Sequence, residues 1–83
     1  MNNNKHKITI TYCVPCDYSD HALKAAKALI KNFQHDLESL TLVTGSKGVF
    51  DVHVNGDLLF SKSETNKFPE DGELVKLIIG SAS

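Results

Sequence analysis

No stretch of this chain stays apolar over the roughly 20 residues that a membrane-spanning helix needs, so no membrane partner is expected. Charge of one sign is not in excess either: nine Lys+Arg stand against ten Asp+Glu, a formal net charge of -1. Nucleic-acid binders usually carry a basic excess on one face, so a nucleic-acid partner is not expected. The opening residues Met1-Asn2-Asn3-Asn4-Lys5-His6-Lys7 lack the apolar core of a secretory signal, which makes the cytoplasm the default compartment. Repeats, low-complexity tracts and linkers are absent. The 83 residues leave room for one core, hence a single domain over 1–83. Cysteine is scarce too. The only two are Cys13 and Cys16, in the run Cys13-Val14-Pro15-Cys16. Disulfide-stapled secreted domains carry more cysteines and close longer loops, so a lone C-x-x-C points to redox or metal chemistry.

What is present is an ordered pattern of elements. Residues 5–12 alternate, with Ile8 and Ile10 on one face and Thr9 and Thr11 on the other, which predicts a strand running straight into the C-x-x-C. Residues 19–35 read as a helix. Ala22, Leu23, Ala26, Leu29, Ile30, Phe33 and Leu37 recur at helical spacing, and Lys24, Lys27 and Lys31 form a basic stripe opposite. Either Pro15 sits in its first turn or Ser19 is its N-cap. Residues 38–44 predict a second strand, broken by Gly45-Ser46-Lys47-Gly48. Strands over 49–54 and 57–62 flank Asn55-Gly56, a type I′ hairpin signal. In the plain two-residue register Val54 faces Asp57, Val52 faces Leu59 and Phe50 faces Ser61. Phe50, Val52, Val54 and Leu59 then share one face, and Val49, Asp51, His53, Leu58 and Phe60 share the other. A polar loop over 61–72 holds Phe68-Pro69, and a closing helix over 72–79 ends near Gly80. The order β-α-β-β-β-α, with a parallel crossover first and a hairpin last, is an α/β arrangement. It is a minimal thioredoxin-like fold: a four-stranded mixed sheet with two helices.

A dithiol that cycles needs two sulfurs close enough to bridge without moving the backbone. Two intervening residues at a strand-to-helix junction supply that. A helix N-terminus there favours a thiolate, which casts Cys13 as the exposed attacking sulfur and Cys16 as the resolving one. Pro15 stiffens the turn. Asp17 and Asp20 disfavour a second negative charge, and His21 would offset them if it pointed back toward Cys16. Zinc needs four ligands. His6, His21, His35 and His53 show no H-x-x-x-H spacing, so no metal site is expected without a partner chain.

Three further segments complete a pattern: Gly48-Val49-Phe50-Asp51-Val52, then Asn55-Gly56-Asp57-Leu58-Leu59-Phe60-Ser61-Lys62, then Phe68-Pro69. With the C-x-x-C, and in this order and spacing, they resemble the selenoprotein W (Rdx, SelT/SelW/SelH) family from about Ile8 to Ile79. The resemblance implies a thioredoxin-like fold and a thiol redox role. Cys16 matches the position that is selenocysteine in animal members of that family, which are linked to glutathione and to adaptor proteins. Two departures stand out. Thioredoxins proper carry a cis-proline where this chain has Gly45-Ser46-Lys47-Gly48, which leaves Ser46 and Lys47 to border the sulfurs. Asn66-Lys67 stand where the family often has glycine before Phe-Pro.

The expected function is therefore a small thiol–disulfide redox protein with glutathione or protein thiols as partners and no resident cofactor. Val14, Pro15, Ser46, Lys47 and Phe68 would support the two cysteines. Phe68 either shapes access to the dithiol or anchors the last helix to the core. The rival reading is a redox-sensing or adaptor module, with Val49, Leu58 and Phe60 as a homodimer or partner surface. Metal carriage through the C-x-x-C is a third reading.

Overall fold

The computed structural model describes residues 5–81. Strand β1 (His6–Cys13) is followed by helix α1 (Ser19–Phe33), strands β2 (Leu37–Gly45), β3 (Phe50–Val54) and β4 (Asp57–Ser61), and helices α2 (Lys62–Thr65) and α3 (Glu73–Ser81). The sheet order is β2-β1-β3-β4, with β1 parallel to β2 and antiparallel to β3. The strand that carries the C-x-x-C is thus paired on both sides. The alternation read from the sequence is realised: Ile8 and Ile10 are fully buried, and Thr9 and Thr11 face the other way, half-buried. No helix among the described residues is long and apolar enough to cross a membrane.

Helix α1 buries Ala22, Ala25, Ala26, Leu29 and Phe33. Two expected core residues, Leu23 and Ile30, are exposed instead. The alanines explain this. Their short side chains let the helix lie close to the sheet, and the buried stripe turns toward them and away from the larger side chains on the flank. Leu37, expected to continue the helical stripe, opens β2. The helix stops because Asp36 N–H turns back to Phe33 O at 2.7 Å and Asp36 O accepts the His6 N–H at 2.8 Å, which starts the parallel ladder.

The hairpin turn is as expected, with Asn55 (φ 54°) and Gly56 (φ 90°) both left-handed. Val54 faces Asp57 and His53 faces Leu58, but then the register slips: Val52 faces Phe60 and Asp51 faces Ser61. Leu59 is the extra residue of a bulge. One slipped residue reverses every side chain beyond it. Phe60 therefore turns into the core at 4% exposure, and Leu58 is left exposed on its own. Val49 precedes the strand and is half-buried. The expected common surface of Val49, Leu58 and Phe60 does not form.

The expected loop after β4 contains α2, so the described residues form three helices rather than two. The Thr65 hydroxyl donates to Ser61 O at 3.1 Å, and Asn66, left-handed at φ 61°, donates its N–H to Lys62 O. Every peptide bond among the described residues is trans, Phe68–Pro69 included. Helix α3 buries Leu74 and Ile78 and packs on β4 and α1. Gly80, expected as its cap, lies within it.

At its first turn the Glu73 carboxylate accepts the Glu70 N–H at 2.9 Å and the Lys67 ammonium at 3.1 Å. These hold its pKa below the usual carboxylate range, the backbone N–H most strongly. On acidification the unfolded chain binds that proton first. The stabilisation is therefore complete above the ordinary carboxylate pKa and is lost as pH falls through the folded value. Glu73→Gln will lower the urea midpoint slightly at neutral pH, and the gap from the parent will close in acid. A gap that persists unchanged in acid would contradict this.

Candidate redox site

The site is built where β1 runs out. Cys13 and Cys16 are joined by a disulfide with their Cα atoms 5.3 Å apart. The turn is closed by three bonds: Cys16 N–H to Cys13 Sγ (3.2 Å), Asp17 N–H to Val14 O (2.9 Å) and Tyr18 N–H to Cys13 O (3.1 Å). Asp17 is left-handed at φ 63° and cannot belong to a helix. Helix α1 therefore begins only at Ser19, with Tyr18 at the N-cap and no side-chain cap. Neither expected helix start is realised. Pro15 sits in the turn rather than in the helix, Ser19 is the first helical residue rather than its cap, and Cys16 lies ahead of the helix.

The exposures of the two sulfur residues are the reverse of those expected. Cys13, expected as the exposed member, is fully buried. Cys16 is exposed, as are its neighbours Val14 and Pro15. Cys13 is buried because it is still part of the central strand, gripped from both sides. Its N–H donates to Val49 O at 2.9 Å, and the next N–H, from Val14, donates to Gly45 O at 3.0 Å.

Both acceptors are the ends of the segment Gly45-Ser46-Lys47-Gly48-Val49. That segment is a tight turn, with Lys47 (φ 58°) and Gly48 (φ 78°) left-handed and Val49 N–H closing on Ser46 O. Ser46 and Lys47 are both exposed in this turn, whose two ends are bonded to the backbone of Cys13 and Val14. Gly45 faces Cys13 across the parallel ladder. A Cβ on Gly45 would meet Val49 Cγ1 at 2.8 Å and Thr11 Cγ2 at 3.2 Å. Valine is stiff at χ1 and cannot swing aside freely. Gly45→Ala will therefore cost about 1–3 kcal/mol by overpacking, read as a lowered denaturation midpoint. The same change in a Val49→Ala background will cost less than half as much. Equal costs in the two backgrounds would show that the close approach is not the cause.

Phe68 is half-buried and sits at the centre of an aromatic cluster. Its ring meets Tyr18 edge-on at 4.8 Å and Phe50 edge-on at 5.4 Å, and stacks on His21 at 3.6 Å. Lys62 Nζ lies 5.2 Å from its centroid. Phe68 thus links the core, through Phe50, to Tyr18, which follows Cys16 by two residues. His21 stacks on Phe68. Sequence reasoning missed Tyr18 and Lys62. The three-residue spacing of Tyr18 and His21 at a helix start was the one available signal for the first of them. Beyond this cluster a cavity of about 160 Å³ opens between His21, Lys24, Ala25 and the segment Pro69, Glu70 and Asp71. Lys24 spans its mouth to Asp71 at 3.1 Å, an exposed pair of little energetic weight. The rest of the basic stripe, Lys27 and Lys31, is exposed.

Known proteins share both this sequence and this architecture. The chain is 33% identical over 73 residues to the bovine protein migration and invasion enhancer 1 and 33% identical over 72 residues to its mouse counterpart. Those alignments cover 87% and 86% of this chain. They cover 61% and 60% of the relatives, so the chain spans about three fifths of their length. The crystal structure of a Bordetella parapertussis protein superposes with a TM-score of 0.88 at 32% identity, covering 93% of this chain and 98% of that one. A selenoprotein W-related protein from Vibrio cholerae superposes with a TM-score of 0.91 at 24% identity, covering 96% and 100% of the two chains. The fold is thioredoxin-like, and the sequence profile of the Rdx family matches residues 7–79. With the C-x-x-C disulfide at the end of the central strand, the chain belongs to the Rdx family.

Proposed function

We propose that this chain is a thiol–disulfide redox protein whose working couple is Cys13–Cys16, with Cys16 as the sulfur that meets the partner. The observation that carries this reading is the asymmetry of the bridge: one sulfur residue fully buried in the central strand, the other exposed in the turn. A partner thiolate attacks Cys16 Sγ. The bridge breaks, and Cys13 leaves with the electron pair as a thiolate that takes up a proton. A second partner thiol then attacks the mixed disulfide and releases Cys16. Two partner thiols become one disulfide, and the protein gains two electrons and two protons. The Cys16 N–H already directed at Cys13 Sγ would hydrogen-bond the leaving thiolate, offsetting part of the penalty of forming charge on a buried atom.

The partner is glutathione or a protein thiol, met in the cytoplasm, where a lone C-x-x-C with one exposed sulfur suits redox chemistry better than structural stapling. Val14 and Pro15 form the apolar rim of the exposed sulfur. Ser46 and Lys47 offer polar contacts on its other side, and Phe68 with Tyr18 stiffens the turn from behind.

The test is the mass of the alkylated protein after equilibration across a series of glutathione poises. The expected result is a reversible two-electron transition of Cys13 and Cys16 together, within or near the cytosolic range of about -220 to -320 mV. Thiols that stay reduced at every poise, or that are modified independently, would overturn the reading.

A further inference from the structure

The two outer strands of the sheet are treated very differently. Strand β4 is five residues long, carries the Leu59 bulge and ends directly in α2. Short length and bulges are how proteins keep an edge from pairing with another chain. Strand β2 has no such protection. It runs nine residues, Leu37-Glu38-Ser39-Leu40-Thr41-Leu42-Val43-Thr44-Gly45, without proline. Its only charge is Glu38, which already lies 3.8 Å from Lys7 of β1. Its pairing with β1 is regular from Ser39 to Gly45. Among the described residues no strand pairs with its other side.

The flank beside that edge is apolar. Of the seven exposed large hydrophobics among the described residues, four belong to it: Leu23, Ile30, Leu42 and Val43. Leu42 aligns with Ile10 and so stands on the helix-bearing face of the sheet; Val43 aligns with Thr11 on the opposite face. At 100° per residue, Ala22, Ala26, Leu29 and Phe33 of α1 point to the sheet. His21, Lys24 and Ala25 point to the segment leading into α3. Leu23 and Ile30 then occupy the remaining flank, away from α3 and above β2.

We propose that the outer edge of β2 is a self-association surface, on which a second copy of this chain adds its own β2 antiparallel to form one continuous sheet. The sequence of the strand favours a second copy as the occupant. An antiparallel pair centred on Thr41, the midpoint of the strand, overlaps all nine residues. It sets Thr41 opposite Thr41, Leu40 opposite Leu42, Ser39 opposite Val43 and Glu38 opposite Thr44. No like charges meet; Leu40 and Leu42 share one face with the Glu38 and Thr44 pair at its ends, and Ser39, Thr41 and Val43 share the other. The two-fold axis also brings the Leu23 and Ile30 flanks of the two α1 helices together on the same side of the joined sheet.

The register makes a direct test. Thr41 is exposed and lies outside the redox site. Thr41→Lys sets two lysines directly opposite each other, and Thr41→Glu sets two glutamates opposite each other. Sedimentation of the full chain from micromolar to millimolar concentration will show a reversible dimer. Each variant will raise its dissociation constant roughly fivefold at low salt. An equimolar mixture of the two variants will associate more tightly than either alone. Leu58→Lys, on the far side of the sheet, will leave the dimer unchanged. Circular dichroism will show all three variants folded. A parent chain that stays monomeric across the range overturns the proposal. So does a Thr41→Lys dimer as strong as the parent's, or a mixture with no gain over its components.

Discussion

A Cys13→Ala variant will form a mixed disulfide with glutathione through Cys16, releasing one glutathione from its disulfide, and a Cys16→Ser variant will react far more slowly. The two residues are three apart in sequence and share one turn, yet they differ in every respect that governs access. Cys13 is fully buried. Its N–H is bonded to Val49 O, and the following N–H is bonded to Gly45 O. To present its sulfur the chain must peel the end of β1 from both neighbouring strands. An opening that costs about 3 kcal/mol slows the reaction by roughly a hundredfold. Cys16 needs no opening, because it already faces solvent in a turn that precedes α1. The rate of mixed-disulfide formation, followed by mass at fixed glutathione disulfide and pH, decides the matter. Comparable rates would mean that the turn opens freely. A faster Cys16→Ser variant would mean that Cys13 meets the partner. Cys13→Ala is preferred to serine here because a buried hydroxyl without a partner destabilises in its own right. A circular dichroism spectrum matching the parent's confirms that the comparison is between folded proteins.

The same asymmetry marks the limit of what the sequence disclosed about the site. The strand, the C-x-x-C and the Gly45-Ser46-Lys47-Gly48 break were legible because each rests on local chemistry: alternation, cysteine spacing, and the freedom of glycine to turn left-handed. That the break would lie beside the dithiol was an expectation taken from the comparison with the cis-proline position of thioredoxins. Which sulfur is exposed did not follow from these. It depends on where the helix begins. Asp17 in a left-handed conformation delays that start to Ser19, a position for which a non-glycine residue gives no strong signal. The exposed flank of α1 was illegible for a related reason. Periodicity ranks Leu23 and Ile30 as core because they are apolar, whereas packing chose the alanines that fit closest to the sheet. Helix α2 was missed because Lys62-Ser63-Glu64-Thr65 has no apolar face to betray it. Its turn is held by the Thr65 hydroxyl and by Asn66, not by burial.

The bulge in β4 is the sharpest case, and it carries the largest expected effect on stability. Asn55-Gly56 announces a two-residue hairpin, and an unbroken register from that turn would bury Leu59 and expose Phe60. The structure does the reverse from Phe60 onward, with Phe60 4% exposed and packed in the same cluster as Val52 and Ile10. Two substitutions at Phe60 separate the two registers, and a third at Leu58 is their control. Phe60→Ala will cost about 3–4 kcal/mol, the usual toll of emptying an aromatic site. A domain of this length is stable by roughly 4–12 kcal/mol in total. Phe60→Lys, which adds an unpaired charge to the same site, will therefore leave much of the chain unfolded. Leu58→Lys, at 45% exposure, will stay within about 0.5 kcal/mol of the parent. Urea unfolding of the reduced proteins reads all three. In the unslipped register the outcome would be different: Phe60→Lys would be tolerated as well as Leu58→Lys, and Leu59→Lys would be the severe change. A damaging Phe60→Lys beside a mild Leu58→Lys thus establishes the bulge. It also removes Phe60 from any surface on which this protein meets a partner, because a side chain held in the core cannot be offered to one.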